Sequence, residues 1–265
     1  WGMVITKDRE QDQYNAAIYR LQILQKNKLI VRWLKHRGGN HHYDQWQKQI
    51  DKTNKMPISV VIGCDPIMLL ASVIPMPEKI SEYSFYGLLA KRRLEVVKCI
   101  SNSLLVPYSS EIVLEGEIDL HEMAKEGPFG DHTGFYNDME LFPVMTVKTI
   151  TMKKSPLYLT TYTGKPVDEP AVLGMALNEI FIPLGQKQFA EITDFWLPPE
   201  GCSYRIAIIA IRKSYPGQAR RVMMGLWSSL KQFTYTKMII IVDEGSDIRN
   251  WHEVMWILST HVDFS

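Results

Sequence analysis

The hydrophobic period of the chain changes once, near Gly164–Pro170, and one regular fold does not accommodate both sides of that change. Before it, apolar residues come in short β-favouring runs broken by Gly, Pro, Asn and Asp. After it, they recur at helical spacing and alternate with short unbroken apolar segments. Leu173, Ala176, Leu177, Ile180, Phe181 and Leu184 keep the helical period behind an Asp168/Pro170 start signal. Arg205–Ile211 and Met238–Val242 read as buried strands. Ala219, Val222, Met223, Leu226, Trp227 and Leu230, then Trp251, Val254, Met255 and Leu258, mark two further helices. Strand–helix–strand–helix order is that of a small parallel α/β unit. With the boundary placed at residue 168, the segments are 1–168 and 169–265. That agrees with a prior of about two domains for such a length.

In the first segment, Ala16–Leu24 and Lys28–Leu34 read as strands of a hairpin around Gln25-Lys26-Asn27. Ile58–Cys64 is a buried-type strand. Asp65-Pro66 opens a helix, and a second runs from Ser81 to Lys91 with Phe85, Leu88 and Leu89 as its apolar side. Glu95–Cys99, Glu111–Ile118, Val144–Ile150 and Leu157–Tyr162 read as further strands. Alternation puts Glu111, Glu115 and Glu117 on one face, which reads as a solvated sheet face rather than a metal site.

Composition excludes several classes. Hydrophobic residues make up 46% and charged residues 22%, an ordinary globular balance. A net charge of +1 offers no field for nucleic acid. The 3 cysteines, Cys64, Cys99 and Cys202, match neither a disulfide framework nor a paired-cysteine metal motif, and point to a reducing, cytoplasmic setting. No apolar run is long enough to span a bilayer.

Two stretches can carry chemistry. Glu126-Gly-Pro-Phe-Gly-Asp131-His132-Thr-Gly134 holds two carboxylates in a glycine-rich loop. Carboxyls whose pKa values are pushed apart can move a proton, while on spacing alone a turn with solvated acids is the simpler reading. Asn15-Ala-Ala-Ile-Tyr19-Arg20 and Arg32-Trp33-Leu34-Lys35-His36-Arg37-Gly38-Gly39 gather arginines, a tryptophan and paired glycines at one end of a hairpin. Arginine grips phosphate or carboxylate, and the glycines let backbone N–H groups approach an anion. A basic hairpin face with Trp33 in the core is an equal alternative. His41 and His42 carry no assigned role, Met223, Met224 and Trp227 read as core, and Asp243-Glu244 reads as a helix N-cap.

These residues together resemble the UbiD family of decarboxylases. The resemblance rests on Ile18-Tyr19-Arg20, Gln25-Lys26-Asn27-Lys28-Leu29-Ile30, Arg32-Trp33-Leu34 and His36-Arg37-Gly38-Gly39. It continues through Ser81-Glu82-Tyr83, Glu95–Ile100, Glu126–Gly134, Thr161–Gly164 and Leu197–Arg205, with Ala17 where the family usually has glycine. Asp131 favours the polyprenylbenzoate branch of the family.

The resemblance implies an α+β fold, with a split β-barrel of flavin-binding type in 1–168 followed by a small α/β domain. It implies prenylated FMN with Mn²⁺, and K⁺ in some members. Asn15, His36 and Glu82 match the metal ligands. Ile18, Tyr19, Arg20, Arg32, Trp33, Leu34, Arg37 and Gly38 match the cofactor-binding segments. Arg20, Glu126 and Asp131 match the catalytic set, in which Arg20 orients the substrate carboxylate, Glu126 pairs with Arg20, and Asp131 donates the proton. The implied reaction converts 3-polyprenyl-4-hydroxybenzoate to 2-polyprenylphenol in ubiquinone biosynthesis. Other aromatic or α,β-unsaturated acids are the alternative substrates. A flavin prenyltransferase as cofactor source, a homo-oligomer and peripheral contact with the inner membrane through the prenyl tail complete the expectation. Compared with the family, the chain reads as a fragment lacking an N-terminal domain and a C-terminal segment, so a non-catalytic flavin-binding or oligomerisation piece is the rival reading.

Overall fold

The computed structural model describes residues 2–10, 12–35, 37–48, 54–74, 80–165, 167–229 and 231–262. Contacts divide the chain into two units, Trp1–Phe129 with Tyr136–Thr161, and Gly130–Phe135 with Tyr162–Ser265.

The first unit begins with β1 (Gly2–Lys7), β2 (Tyr14–Ile18), β3 (Leu21–Gln25) and β4 (Lys28–Val31). Next come α1 (Gly38–Lys48), β5 (Lys55–Ile62), α2 (Pro66–Val73), α3 (Glu82–Ala90), β6 (Val96–Lys98) and β7 (Leu105–Pro107). The long strands β8 (Ile112–Glu126) and β11 (Glu140–Met152) close it, flanking the short β9 (Phe129–Gly130) and β10 (Tyr136–Asn137). One antiparallel sheet of 7 strands runs β2-β1-β5-β8-β11-β4-β3. Its edges, β2 and β3, are consecutive in the chain with only Tyr19 and Arg20 between them. Three Cα steps reach at most about 11 Å, so the sheet must curl until its edges nearly meet. That is an open, split barrel whose seam is crossed by Tyr19-Arg20. The run expected as one strand over Ala16–Leu24 is therefore two strands on opposite edges, and only β3 and β4 form the expected hairpin.

Val4, Val31, Met56, Ile58, Val60, Ile118, Leu120 and Met145 fill the core of this unit, with Tyr19, Trp33 and Tyr43 among them. The two helix starts read from sequence hold. Asp65 caps α2 by accepting from Ile67 N–H at 2.9 Å, and Ser81 caps α3 by accepting from Tyr83 N–H at 3.2 Å. Three expectations fail here. Leu88 is 71% exposed, because α3 buries Phe85 and Tyr86 instead. Leu157–Tyr162 pairs with no strand, and its apolar side chains are mostly exposed. Glu115 is not solvated: it is buried and accepts from the Ser101 backbone N–H at 2.7 Å and hydroxyl at 2.9 Å.

The second unit contains α4 (Glu169–Gln188), β12 (Ile192–Trp196), β13 (Ile206–Ile211), α5 (Gln218–Ser229), β14 (Met238–Asp243) and α6 (Trp251–His261). Strands β13 and β14 are parallel as the pattern required, while β12, unread in the sequence, adds an antiparallel edge. Ala207, Ile209 and Ile211 pack with Val222 and Leu226 of α5. Ile208 and Ala210 face Val254 of α6. A strand covered on both faces has no polar side to show, hence its unbroken apolar run. Asn250, not Asp243 or Glu244, caps α6. Trp227 is half-buried as expected of core, but Met224 is 64% exposed.

Candidate active site

At the seam, the Arg20 carbonyl accepts from Arg32 N–H at 3.0 Å, so both arginines leave the barrel side by side. The end of β8 supplies their partner. Arg20 Nε donates to Glu126 Oε1 at 2.5 Å and Nη2 to Oε2 at 2.8 Å, a forked pair with Glu126 only 1% exposed. Arg32 Nε lies 3.9 Å from the same carboxylate, and its Nη2 lies 3.6 Å from Glu140, which sits opposite Glu126 in the β8–β11 register. The Phe129 ring stacks under the Arg20 guanidinium at 4.5 Å. Gln22 accepts from Gly127 N–H at 2.9 Å, tying the following loop to β3. Glu140 and Gln22 went unread because strand pairing brings them to this corner, and Phe129 because the turn after β8 carries it to Arg20.

The other side of the seam holds Asn15 on β2. The next backbone N–H, that of Ala16, donates at 3.0 Å to Glu82 Oε2 in the first turn of α3. Burial pushes the Glu82 carboxyl up to about 7, against the lowering effect of that hydrogen bond. Helix α1 starts beside them. The Tyr19 hydroxyl accepts from Gly39 N–H at 2.9 Å, and burial raises the Tyr19 pKa. A Cβ on Gly38 would collide with Asn15 Oδ1, and one on Gly39 would lie 2.5 Å from the Trp33 indole nitrogen. Trp33 is 2% exposed and meets Tyr19 edge-on, with ring centroids 6.2 Å apart, so its indole is a core side chain, as the alternative reading of this hairpin expects. Ile18, Leu34 and Arg37 are half-buried around this corner and Gly38 is exposed. His36 lies outside the described residues.

Asp131 belongs to the segment grouped with the second unit. Its Oδ1 accepts from the His132 backbone N–H at 2.8 Å and lies 2.8 Å from His132 Nδ1. Gly134 N–H donates to the Asp131 carbonyl at 2.9 Å, and Gly134 takes φ +82, a turn geometry that favours glycine.

A family model described as the 3-octaprenyl-4-hydroxybenzoate carboxy-lyase Rift-related domain matches residues 1–166, and that carboxy-lyase's C-terminal domain matches 171–265. The chain belongs to the UbiD family. It superposes on an evolved dimeric form of the UbiD-class enzyme HmfF from Pelotomaculum thermopropionicum, in complex with prenylated FMN. That match has a TM-score of 0.87 at 27% identity and covers 98% of this chain and 59% of that one. Vanillic acid decarboxylase from Sedimentibacter hydroxybenzoicus matches with a TM-score of 0.89 at 27% identity, covering 99% of this chain and 56% of that one. The apo 3,4-dihydroxybenzoic acid decarboxylase of Klebsiella pneumoniae, at 21% identity and TM-score 0.78, covers 99% and 56% and shares the fold. The chain thus spans between half and two thirds of these proteins' lengths.

The residues of this UbiD-family chain fit the group that the family implies. Among the described residues no three His, Cys, Asp or Glu side chains converge on a metal position. Glu82, whose Oε2 is held by the backbone N–H that follows Asn15, is nevertheless a desolvated oxygen donor of the kind hard divalent ions take, and a nearby cation would offset the burial that raises its pKa. The α1 start carries paired glycines and no acidic residue in its first turn, which suits an anion at the positive end of the helix.

Proposed function

We propose that this chain carries the decarboxylation site of a prenylated-FMN-dependent, non-oxidative carboxy-lyase acting on aromatic acids. The forked Arg20–Glu126 pair at the barrel seam is the observation that supports it most. Two of the five guanidinium N–H groups engage Glu126. That fixes the plane of Arg20, and Phe129 beneath it limits its tilt. A substrate carboxylate then meets an oriented cation in a partly dehydrated corner, where charge–charge attraction is stronger than in water. Asn15, His36 and Glu82 would hold Mn²⁺, with K⁺ as a second ion. Ile18, Tyr19, Arg20, Arg32, Leu34, Arg37 and Gly38, with Trp33 through its backbone, would line the flavin. Bound prenylated FMN supplies the sink for electrons released when the C–C bond to CO₂ breaks. Asp131 holds the proton that replaces CO₂ on the ring carbon, which requires its carboxyl to be protonated at that step.

The finer reading takes 3-polyprenyl-4-hydroxybenzoate to 2-polyprenylphenol, a ubiquinone-pathway step, with a homo-oligomer, a flavin prenyltransferase as cofactor source and peripheral membrane contact. No described helix is long and apolar enough to cross a membrane. Similarity to a vanillic acid decarboxylase favours a second reading, in which a smaller aromatic acid is the substrate.

The test co-expresses the chain with a flavin prenyltransferase, supplies Mn²⁺, and records bound cofactor by mass spectrometry together with CO₂ release. Bound prenylated FMN and turnover of the prenylated acid are expected, with Asp131→Asn keeping the flavin and losing turnover. Release from vanillate alone selects the second reading. Folded protein with neither flavin nor turnover defeats both.

A further inference from the structure

Of the adjacent histidines, one lies at the surface and one is buried. His41 is exposed and bonds Gln45 at 3.2 Å on its own helix. His42 is 7% exposed, and its Nδ1 shares a 2.9 Å hydrogen bond with the hydroxyl of Thr6, which is 0% exposed. Burial pushes the His42 pKa down to about 4, so the ring is neutral near pH 7 and bonds as a shaped polar group rather than as a cation.

The location of that bond gives it meaning. Thr6 on β1 lies directly across from Asn15 on β2 in the strand register. Directly opposed residues project from the same face of a sheet, so Thr6 and Asn15 form a polar pair on the face where α1 docks. His42 lies one helical turn past Gly38, about 6 Å along the axis, and Gly38 abuts Asn15 Oδ1. The Gly39 N–H to Tyr19 hydroxyl bond holds the first residues of α1 to the seam, and two further anchors act later in the helix. The Tyr43 hydroxyl donates to Leu120 O at 3.1 Å, on β8, and Trp46 Nε1 donates to Lys7 O at 3.2 Å, near the far end of the helix. Of these bonds, Thr6–His42 is the one that ties the first turns of α1 to the strand position that faces Asn15.

We infer that His42, through its buried hydrogen bond to Thr6, is a positioning residue that sets the start of α1 against Asn15 and so shapes the site for a flavin phosphate. This rests on the proposed flavin-binding reading. An α-helix transmits displacement rigidly over one turn, so a shift at His42 moves the Gly38–Gly39 backbone relative to Asn15. Anion recognition by backbone N–H groups and a side-chain oxygen is sensitive to such a shift, whereas the apolar contacts of a flavin ring are not.

FMN and riboflavin differ in that phosphate, and their affinities for the chain with Mn²⁺ separate the cases. The wild-type chain is expected to prefer FMN. Thr6→Val, which keeps the side-chain shape, and His42→Leu are each expected to weaken FMN about five- to tenfold and to leave riboflavin unchanged. Thr6→Ser is expected to restore the FMN preference. Should His42→Leu fail to fold, Thr6→Val and its serine rescue carry the same test. An unchanged FMN-to-riboflavin ratio in folded variants, with only the melting temperature lowered, would overturn the inference and leave the flavin reading intact. A wild-type chain that binds neither flavin overturns that reading and the inference with it, and one that binds both alike overturns the inference alone.

Discussion

Glu126 of the first unit and Glu244 of the second each pair with an arginine Nε, at 2.5 and 2.9 Å, yet their side chains are 1% and 47% exposed. The contrast extends through each unit. The first sends Glu82, Glu115 and Glu126 inward and gives each of them backbone or side-chain hydrogen bonds. The second builds its centre from Ile, Val, Ala and Phe and leaves Arg212–Glu244 and Arg249–Asp194 near the surface. An exposed ion pair is nearly neutral for stability, and a buried one must recover several kcal/mol of desolvation. A unit that keeps charges inside does so at a stability disadvantage, so their orientation is what the fold retains. A unit whose sheet packs in apolar clusters, with its buried Asp168 capping a helix start, is organised for packing.

That contrast can be broken by substitution. Ile209 is 0% exposed in the middle of β13, and Ile209→Ala should cost about 4 kcal/mol in urea unfolding, acting on the second unit. Glu126→Gln should cost about 3 kcal/mol in the first unit by leaving the Arg20 cation without its buried counter-charge. An effect of Glu126→Gln as small as that of a surface pair would erase the distinction drawn above.

Smaller effects sharpen the comparison. Gly39→Ala should lower stability by about 2 kcal/mol, read as a drop in melting temperature, because its Cβ has no room beside the Trp33 indole. His42 provides a pH signature. Its pKa is 6.5 unfolded and about 4 folded, so the unfolded chain binds the proton more readily. The stability it contributes is complete above its unfolded pKa and is lost as pH falls towards the folded value. Asp8 opposes this shift and His41 adds to it. His42→Asn should therefore narrow the gap between urea midpoints measured at about pH 7 and about pH 5. The smallest effect belongs to Glu244→Gln, below about 0.5 kcal/mol. A larger loss would show that the rim pairs of the second unit do more than solvate it.

Several features were legible without coordinates because their causes are local. Asp65, Ser81 and Asp168 announce helix starts, since each side chain reaches a backbone N–H only two or three residues ahead. The apolar run of β13 announces a strand covered on both faces. Other readings failed where a partner was needed. Leu157–Tyr162 has strand composition but no neighbouring strand, and Glu115 alternates like a solvated residue until Ser101 covers it. The candidate site divides in the same way. Its residue types were visible as Arg20, Arg32 and Glu126, while Glu140 and Phe129 joined them only through the register of β8 with β11 and the turn that follows β8.

The sequence by itself determined most of the helices, several strands, the change from strand-rich to α/β character and the family, because hydrophobic period, caps and motifs act over a few residues. Tertiary structure alone decided that β2 and β3, two residues apart, would occupy opposite sheet edges. It also decided that Arg20 would meet Glu126 across 106 positions, and that His42 rather than His41 would be buried. Those outcomes depend on how a 7-stranded sheet curls and registers. That is a property of all its strand pairings together, and no local stretch of sequence encodes it.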